Sequence, residues 1–367
     1  MYKQQSLVSI DILRAIAALG VFYYHQHIGA ILAHYFGLTW LQTTDNFGAF
    51  YAVPLFFLIS GYCIHLSNIK YLKNKQALPL KEYYRRRFLR IYPPYLIALL
   101  FSLFVKFAIH PNIVLSKGNF FVHIFLLQGF TVTYFKSINL VLWTISVEMA
   151  FYILYPIFYY LRLRFSLNHA LLLALAVSSI SILFFGIKGS VSNPERFCVF
   201  NIWFAWCCGA FLADKMTLSH EHFKKSVYIL TYAFILLAFI LPIPLQSSAW
   251  LLIKDQINIL IWAAPLIILI NNENWFTSNR SLILKLFSAI GLSSYSLYLF
   301  HDPLTALKNY LVHAFLPLKL QPAGILIGVF LIPLITWFSF LYIEKPFLAR
   351  KRKTMIGAEA VPGISKA

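Results

Sequence analysis

Charge is scarce in this sequence, and negative charge scarcest. Asp and Glu together number 12 in 367 residues, and charged residues of both signs make up 12%, about half of the roughly 25% expected of a soluble domain. With apolar residues at 60% and aromatics at 18%, the chain cannot cover itself with polar surface, which excludes a soluble globular protein. Cysteine is sparse as well. Cys63, Cys198, Cys207 and Cys208 lie in apolar stretches without metal-ligand spacing, so they read as small buried side chains, and no metal site is expected. Linkers are missing too. No Ser-, Gly- or Pro-rich segment separates modules, and the longest hydrophilic insert is KYLKNKQALPLKEYYRRRFLR, Lys70 to Arg90. No inverted repeat of the kind that marks many transporters is visible. A single membrane domain over residues 1–349 is expected, followed by a disordered cytoplasmic tail over 350–367.

What is abundant is apolar sequence in blocks of about 17 to 25 residues, each long enough to cross roughly 30 Å of hydrocarbon as a helix. The expected fold class is therefore an all-α integral membrane protein of about ten transmembrane helices: 8–34, 47–69, 87–109, 140–161, 167–187, 197–214, 226–244, 252–271, 284–312 and 321–344. A weaker block, NFFVHIFLLQGFTVTYF at 119–135, is too short and too punctuated to cross and reads as re-entrant or interfacial. The first span is too long for a cleavable signal, carries Asp11 and Arg14, and lacks a small-residue cleavage site, so it is expected to remain as a membrane helix.

Lys and Arg at the span ends set the orientation. With the N-terminus inside, 22 of the 31 fall on the inner side and 8 on the outer, Arg14 lying within the first span. Both termini are expected in the cytoplasm, and the protein in the cytoplasmic (inner) membrane as a multi-pass component. The net charge of +19 faces anionic lipid on this topology, so membrane lipid and not nucleic acid is the expected partner. Oligomeric state is not readable.

Ionisable groups inside spans cost several kcal/mol and are functional candidates by default. SIDILRAIAALGVFYYHQH holds Asp11, Arg14, His25 and His27. Arg14 and His25 are eleven residues apart, which returns them to within about 20° of one helix face, separated by about 16 Å along the axis. Asp11, three residues before Arg14, is placed to neutralise it. Glu148, entering from outside in the fourth span, falls roughly 12 Å below the outer surface. His301 and Asp302 end the ninth span in the outer half, so His25, Glu148 and His301 are expected at similar depths. Such a set suits acyl transfer: an imidazole takes the proton of an attacking hydroxyl, a carboxylate orients it, and a cation binds donor phosphates. Helix-bridging glue for His25 and Glu148, and snorkelling for Arg14, are the plainer readings. Arg85, Arg86, Arg87 and Arg90 are first a positive-inside anchor, and their guanidinium forks also suit phosphates.

The same segments resemble the acyltransferase-3 family of membrane proteins. In order, these are SIDILRAIAALGVFYYHQH with its Arg-x10-His spacing, PLFFLISGYCI, RRRFLRIYPPYL, LWTISVEMAFYILYP, GLSSYSLYLFHDP and YIEKPF. The resemblance implies an acyl-CoA donor, usually acetyl-CoA, reached from the cytoplasm and not permanently bound. It implies an acceptor hydroxyl on a carbohydrate or glycolipid outside the cell, such as lipopolysaccharide O-antigen or exopolysaccharide. It makes Arg14, His25 and Glu148 the expected catalytic residues and Arg14 with Arg85, Arg86, Arg87 and Arg90 the expected donor-binding ones. Trp143, His301 and Asp302 are expected to touch substrate. WTISVEM departs from the family's Trp-Ser-Leu-Ser-Val-Glu-Glu, keeping the Glu and changing its neighbours. Some relatives carry a soluble C-terminal hydrolase-like domain, whereas this sequence stops soon after YIEKPF, so a second transfer step would need another protein. Ser60 and Ser293 are minor candidates for an acyl way-station. The rival readings are a transporter or flippase for a lipid-linked sugar or anionic metabolite, and a non-catalytic scaffold.

Overall fold

Hydrocarbon offers no hydrogen bonds to a bare backbone, so a chain this apolar must satisfy its peptide groups internally, and helices do so within a single segment. The computed structural model describes residues 7–219, 247–279 and 281–347. Among them every regular element is helical. In chain order the longer helices are α1 (Val8–His25), α2 (Ile28–Phe36), α3 (Val53–Lys73), α4 (Leu80–Ile109), α5 (Lys117–Ile124), α6 (Trp143–Arg164), α7 (Leu167–Gly186), α8 (Val199–Leu218), α9 (Ser248–Leu260), α10 (Ala263–Asn271), α11 (Leu282–Leu292), α12 (Ser294–Phe315) and α13 (Gln321–Ser339). Eight of the described stretches are long and apolar enough to cross a membrane, nine if α11 and α12 count as one broken span. They coincide with nine of the ten expected spans. The seventh, 226–244, and the tail at 350–367 lie outside the described residues.

The chain divides into two compact units, one of Met1–Leu78 with Val114–Ser294 and the other of Pro79–Ile113 with Tyr295–Ala367. In the first unit, the expected span 8–34 is two helices. α1 stops where His27 takes a left-handed backbone, φ 51°, a conformation that a Cβ disfavours by roughly 1–2 kcal/mol. Average hydropathy does not register such a residue. Neighbours hold it in place: the Asp45 carboxylate accepts the Gly29 and Ala30 N–H groups at 2.8 and 3.2 Å, capping α2. At the other end of α1, Glu273 accepts the N–H groups of Val8 and Ser9 at 2.7 and 3.0 Å. Glu273 and Asp45, each the first residue of a short helix, thus hold the start of α1 and the start of α2 just past its end, N-termini where the helix dipoles also favour carboxylates.

At the crossing of α3 and α8 the two backbones touch. A Cβ on Gly61 would collide with the Trp206 carbonyl, and one on Gly209 with the Leu58 carbonyl. Small residues permit this approach between membrane helices. Gly61→Val is expected to push α3 off α8 and to cost about 1–3 kcal/mol by overpacking. A fall of several degrees in the Tm of the detergent-solubilised protein checks this, and an unchanged Tm would show that the crossing tolerates a side chain.

Residues 119–135 form no crossing helix. α5 ends at Ile124, and one 3-10 turn follows over Gln128–Phe130. Gln128 Nε2 donates to the Leu142 carbonyl at 2.9 Å and the Gly129 N–H to Ser146 Oγ at 3.2 Å. His123 is fully buried and donates Nδ1–H to the Asn119 carbonyl at 2.8 Å. Burial lowers its pKa, which favours the neutral ring. Irregular backbone at membrane depth is tolerated under such protein cover, which fits a re-entrant or interfacial segment.

The second unit has its own ties. The Tyr295 hydroxyl of α12 donates to the Ile91 carbonyl of α4 at 2.9 Å, and Ser296 Oγ donates to Glu344 at 2.8 Å. Glu344, only 3% exposed, is the acidic residue of YIEKPF. RRRFLRIYPPYL, YIEKPF and the part of GLSSYSLYLFHDP from Tyr295 onward are tied together here, and SIDILRAIAALGVFYYHQH, PLFFLISGYCI and LWTISVEMAFYILYP belong to the first unit.

Candidate active site

In the first unit α1, α3 and α6 each contribute polar side chains to one cluster. Helical spacing prepares it. Asp11 and Arg14 are three apart, Ser60 and Cys63 three apart, Glu148 and Tyr152 four apart, so each pair shares a face. Arg14 Nη1 donates to Asp11 Oδ1 at 3.3 Å, as the spacing predicts, and Nη2 to Cys63 Sγ at 3.3 Å. Ser60 Oγ donates to Glu148 Oε1 at 3.4 Å, and the Tyr152 hydroxyl donates to the same oxygen. Arg14 interacts electrostatically with Tyr152 and Glu148. Asp11 and Tyr152 are buried, whereas Arg14, Ser60, Cys63 and Glu148 are half-buried. The arrangement is a cation between two carboxylates with two hydroxyls and a thiol at hand, on a face that keeps some access.

Of the residues that the sequence makes candidates, Arg14, Glu148 and the minor candidate Ser60 come together here. They are joined by Tyr152, at i, i+4 from Glu148, and by Cys63, which the sequence reads as a small buried side chain and whose sulfur meets a guanidinium. His25 is the last residue of α1, half-buried, with its ring 5.0 Å from that of Tyr24. It stands three turns beyond Arg14, about 16 Å along the axis. Trp143 packs with Phe135 and Phe197, with ring centroids 4.9 and 4.4 Å away.

The remaining candidates belong to the second unit. Arg85, Arg86, Arg87 and Arg90 all lie in the first three turns of α4. Arg86 pairs with Glu82 at 3.6 Å, and its Nε and Nη2 are buried without a hydrogen-bond partner among the described residues. Arg87 is buried, with its guanidinium 5.7 Å from the Tyr83 ring centroid, and Arg85 is exposed. His301 is buried in α12 and donates Nδ1–H to the carbonyls of Leu297 and Tyr298 at 3.1 and 2.8 Å; Asp302 beside it is half-buried. Among the described residues no group of three or more His, Cys, Asp or Glu could hold a metal ion.

A second network, also missed from sequence, clamps the helices that carry the cluster. Asp214 of α8 accepts from His65 Nε2 of α3 at 3.0 Å and from Arg162 Nε and Nη2 of α6 at 2.8 and 3.1 Å. The Tyr155 hydroxyl meets His65 Nδ1 at 3.2 Å. His65 and Asp214 are both essentially inaccessible. Breaking a buried pair costs about 3–5 kcal/mol, because the partner is left uncompensated. Arg162 keeps 27% of its side chain exposed, so Asp214→Ala is expected at the lower end of that range. Denaturant titration in detergent micelles measures it, and a loss under 1 kcal/mol would show that the network does not clamp α3, α6 and α8.

A family model described as an acyltransferase domain, Acyl_transf_3, matches residues 7–344. The peptidoglycan O-acetyltransferase OatA of Listeria monocytogenes is 25% identical over 84% of this chain and 51% of its own length. The O-acetyltransferase OatA of Staphylococcus aureus is 26% identical over 94% of this chain and 58% of its own length. The chain therefore spans little more than half the length of these curated relatives. No solved structure matches it. Because the model covers nearly all of a chain that carries the family's six motifs in order, the protein is a multi-pass membrane member of the acyltransferase-3 family.

Proposed function

We propose that the protein is a membrane O-acetyltransferase that takes an acetyl group from acetyl-CoA on the cytoplasmic side. It delivers that group to a hydroxyl of an extracytoplasmic carbohydrate, such as lipopolysaccharide O-antigen or exopolysaccharide. The observation that carries this reading is the cluster of Arg14, Ser60, Cys63, Glu148 and Tyr152, built from three of the family's motifs, with Arg14 on the helix that also bears His25. The O-acetyltransferase names of the Listeria and Staphylococcus relatives support acetyl as the group and oxygen as its destination.

The planar forks of the α4 arginines suit the donor's phosphates. At the outer end of α1 the neutral His25 imidazole takes the proton of the acceptor hydroxyl as its oxygen attacks the thioester carbonyl. The C–S bond then breaks, the ester C–O bond remains, and the proton passes to the departing thiolate. Arg14 supplies positive charge to the donor, and Asp11 and Glu148 hold it in place.

The test supplies labelled acetyl-CoA and a glycan acceptor to purified protein in vesicles. Label on the glycan supports the reading, and acceptor movement across the bilayer without any donor would replace it with transport. The orientation is checked separately. A cysteine placed between Lys70 and Arg90 is expected to be shielded from an impermeant thiol reagent in intact cells, and labelling there would put the donor on the wrong side.

A further inference from the structure

A cavity borders α3 and α6, two of the three helices that carry the Arg14–Glu148 cluster. Its walls include Phe50, Phe57, Trp143, Arg196, Phe197 and Asp255. Phe57 precedes Ser60 by three residues on α3, and Trp143 precedes Glu148 by five on α6. At 1.5 Å per residue the cavity therefore sits about 5–8 Å along the helix axes from the cluster, on the side expected to face out of the cell.

Its lining is unusual for a hole between membrane helices. Arg196 donates Nε–H to Asp255 Oδ2 and Nη2–H to Asp255 Oδ1, both at 2.7 Å, and the side chains keep 20% and 9% of their surface exposed. As a stabilising device such a pair is poor, since packed apolar residues of the same volume do as well or better. As a recognition device it is well made. Two of the five guanidinium N–H donors are used, each carboxylate oxygen retains lone-pair capacity, and the bidentate geometry fixes where the remaining donors and acceptors point. Phe50, 37% exposed, adds a ring to the same wall, with Lys254 Nζ over it at 5.6 Å from the centroid. A sugar presents that combination in reverse: hydroxyls around its rim and a face of C–H groups that packs on an aromatic ring.

We propose that this cavity is the acceptor subsite, taking one pyranose ring of the carbohydrate, with Arg196 and Asp255 bonding its hydroxyls and Phe50 packing on its apolar face. The proposal rests on the O-acetyltransferase reading above and names where that reaction holds its acceptor.

Three variants test it. Ala49→Trp fills the cavity from its wall without removing a hydrogen bond, Phe50→Leu removes the ring, and Arg196→Lys keeps the charge and loses the fork. Purified proteins receive labelled acetyl-CoA with soluble oligosaccharides of N-acetylhexosamines or of neutral hexoses, and acetyl-CoA binding is measured alongside. The expected result is an acceptor KM raised by about tenfold or more in each variant that retains the wild-type melting curve, with the acetyl-CoA Kd within twofold. An unchanged acceptor KM in Ala49→Trp or Phe50→Leu, or donor and acceptor affinities that fall together, would overturn the subsite while leaving the enzyme reading intact. Wild-type protein that labels no carbohydrate would overturn the enzyme reading, and the subsite with it.

Discussion

Arg14→Ala is expected to reduce acetyl transfer by about 10²–10³-fold, the range seen when a preorganised charged or hydrogen-bonding group is removed from a reaction centre. Two effects act together. The donor loses the one cation of the cluster in the first unit, and the carboxylates of Asp11 and Glu148 lose the charge that compensates them. Asp11 keeps 2% of its side-chain surface and Arg14 21%, so this is a mostly buried pair. Leaving such a carboxylate alone costs about 3–5 kcal/mol when burial is complete, and the partial access of Arg14 puts the expected loss near the bottom of that range. Arg14→Lys separates charge from geometry. An ammonium keeps the positive charge, yet it cannot reproduce the planar fork that reaches Asp11 and Cys63 together. Lysine is therefore expected to restore the melting temperature and leave transfer reduced by roughly tenfold or more. Measurements of acetyl-CoA binding, transfer rate and Tm on both variants decide the matter. Wild-type transfer in Arg14→Ala would remove Arg14 from the mechanism.

His25→Ala is expected to reduce transfer by about 10²–10⁴-fold, the usual contribution of a positioned general base, while leaving donor binding unchanged. Its position explains the contrast with Arg14. His25 is half-buried at the last residue of α1, and the helix is terminated independently by the left-handed His27 and by Asp45. Removing the imidazole disturbs no ion pair in the Arg14 cluster. Donor affinity measured on His25→Ala should match wild type, where Arg14→Ala weakens it. If His25→Ala transfers within a few-fold of wild type, the proton must leave by another route, and the Ser60–Glu148 pair is the next group to test.

The two substitutions show how unevenly the site was written into the sequence. Arg14 and His25 were readable because both sit on one helix, where the periodicity alone fixes their faces and separation. The Asp11–Arg14 pair was readable for the same reason. Glu148 was readable as an intramembrane acid, and its hydrogen-bonding partner on α6, Tyr152, followed the same local rule without being noticed. Ser60 and Cys63 were visible only as ordinary residues of a membrane helix. What makes them part of a site is that α3 lies against α1 and α6, and this depends on crossings such as Gly61 over Trp206 and Gly209 over Leu58. The break at His27 was not legible, because an apolar stretch has the same mean hydropathy whether or not one residue in it adopts a left-handed backbone.

The sequence by itself determined that the protein is an all-helical membrane protein, where most of its spans fall, and which intramembrane charges need an explanation. Each of these follows from local sums: about twenty apolar residues cross a bilayer wherever they occur, and a charge inside such a run is costly whatever surrounds it. Only the tertiary structure decided who partners whom. It placed Glu273 on the N-terminus of α1 from 265 positions away, Asp214 between His65 and Arg162, Cys63 against Arg14, and Arg196 on Asp255 in the wall of a cavity. Hydrogen bonds and ion pairs depend on distances of a few ångströms between side chains far apart in the chain, and no local property of a helix encodes which of its neighbours will come that close.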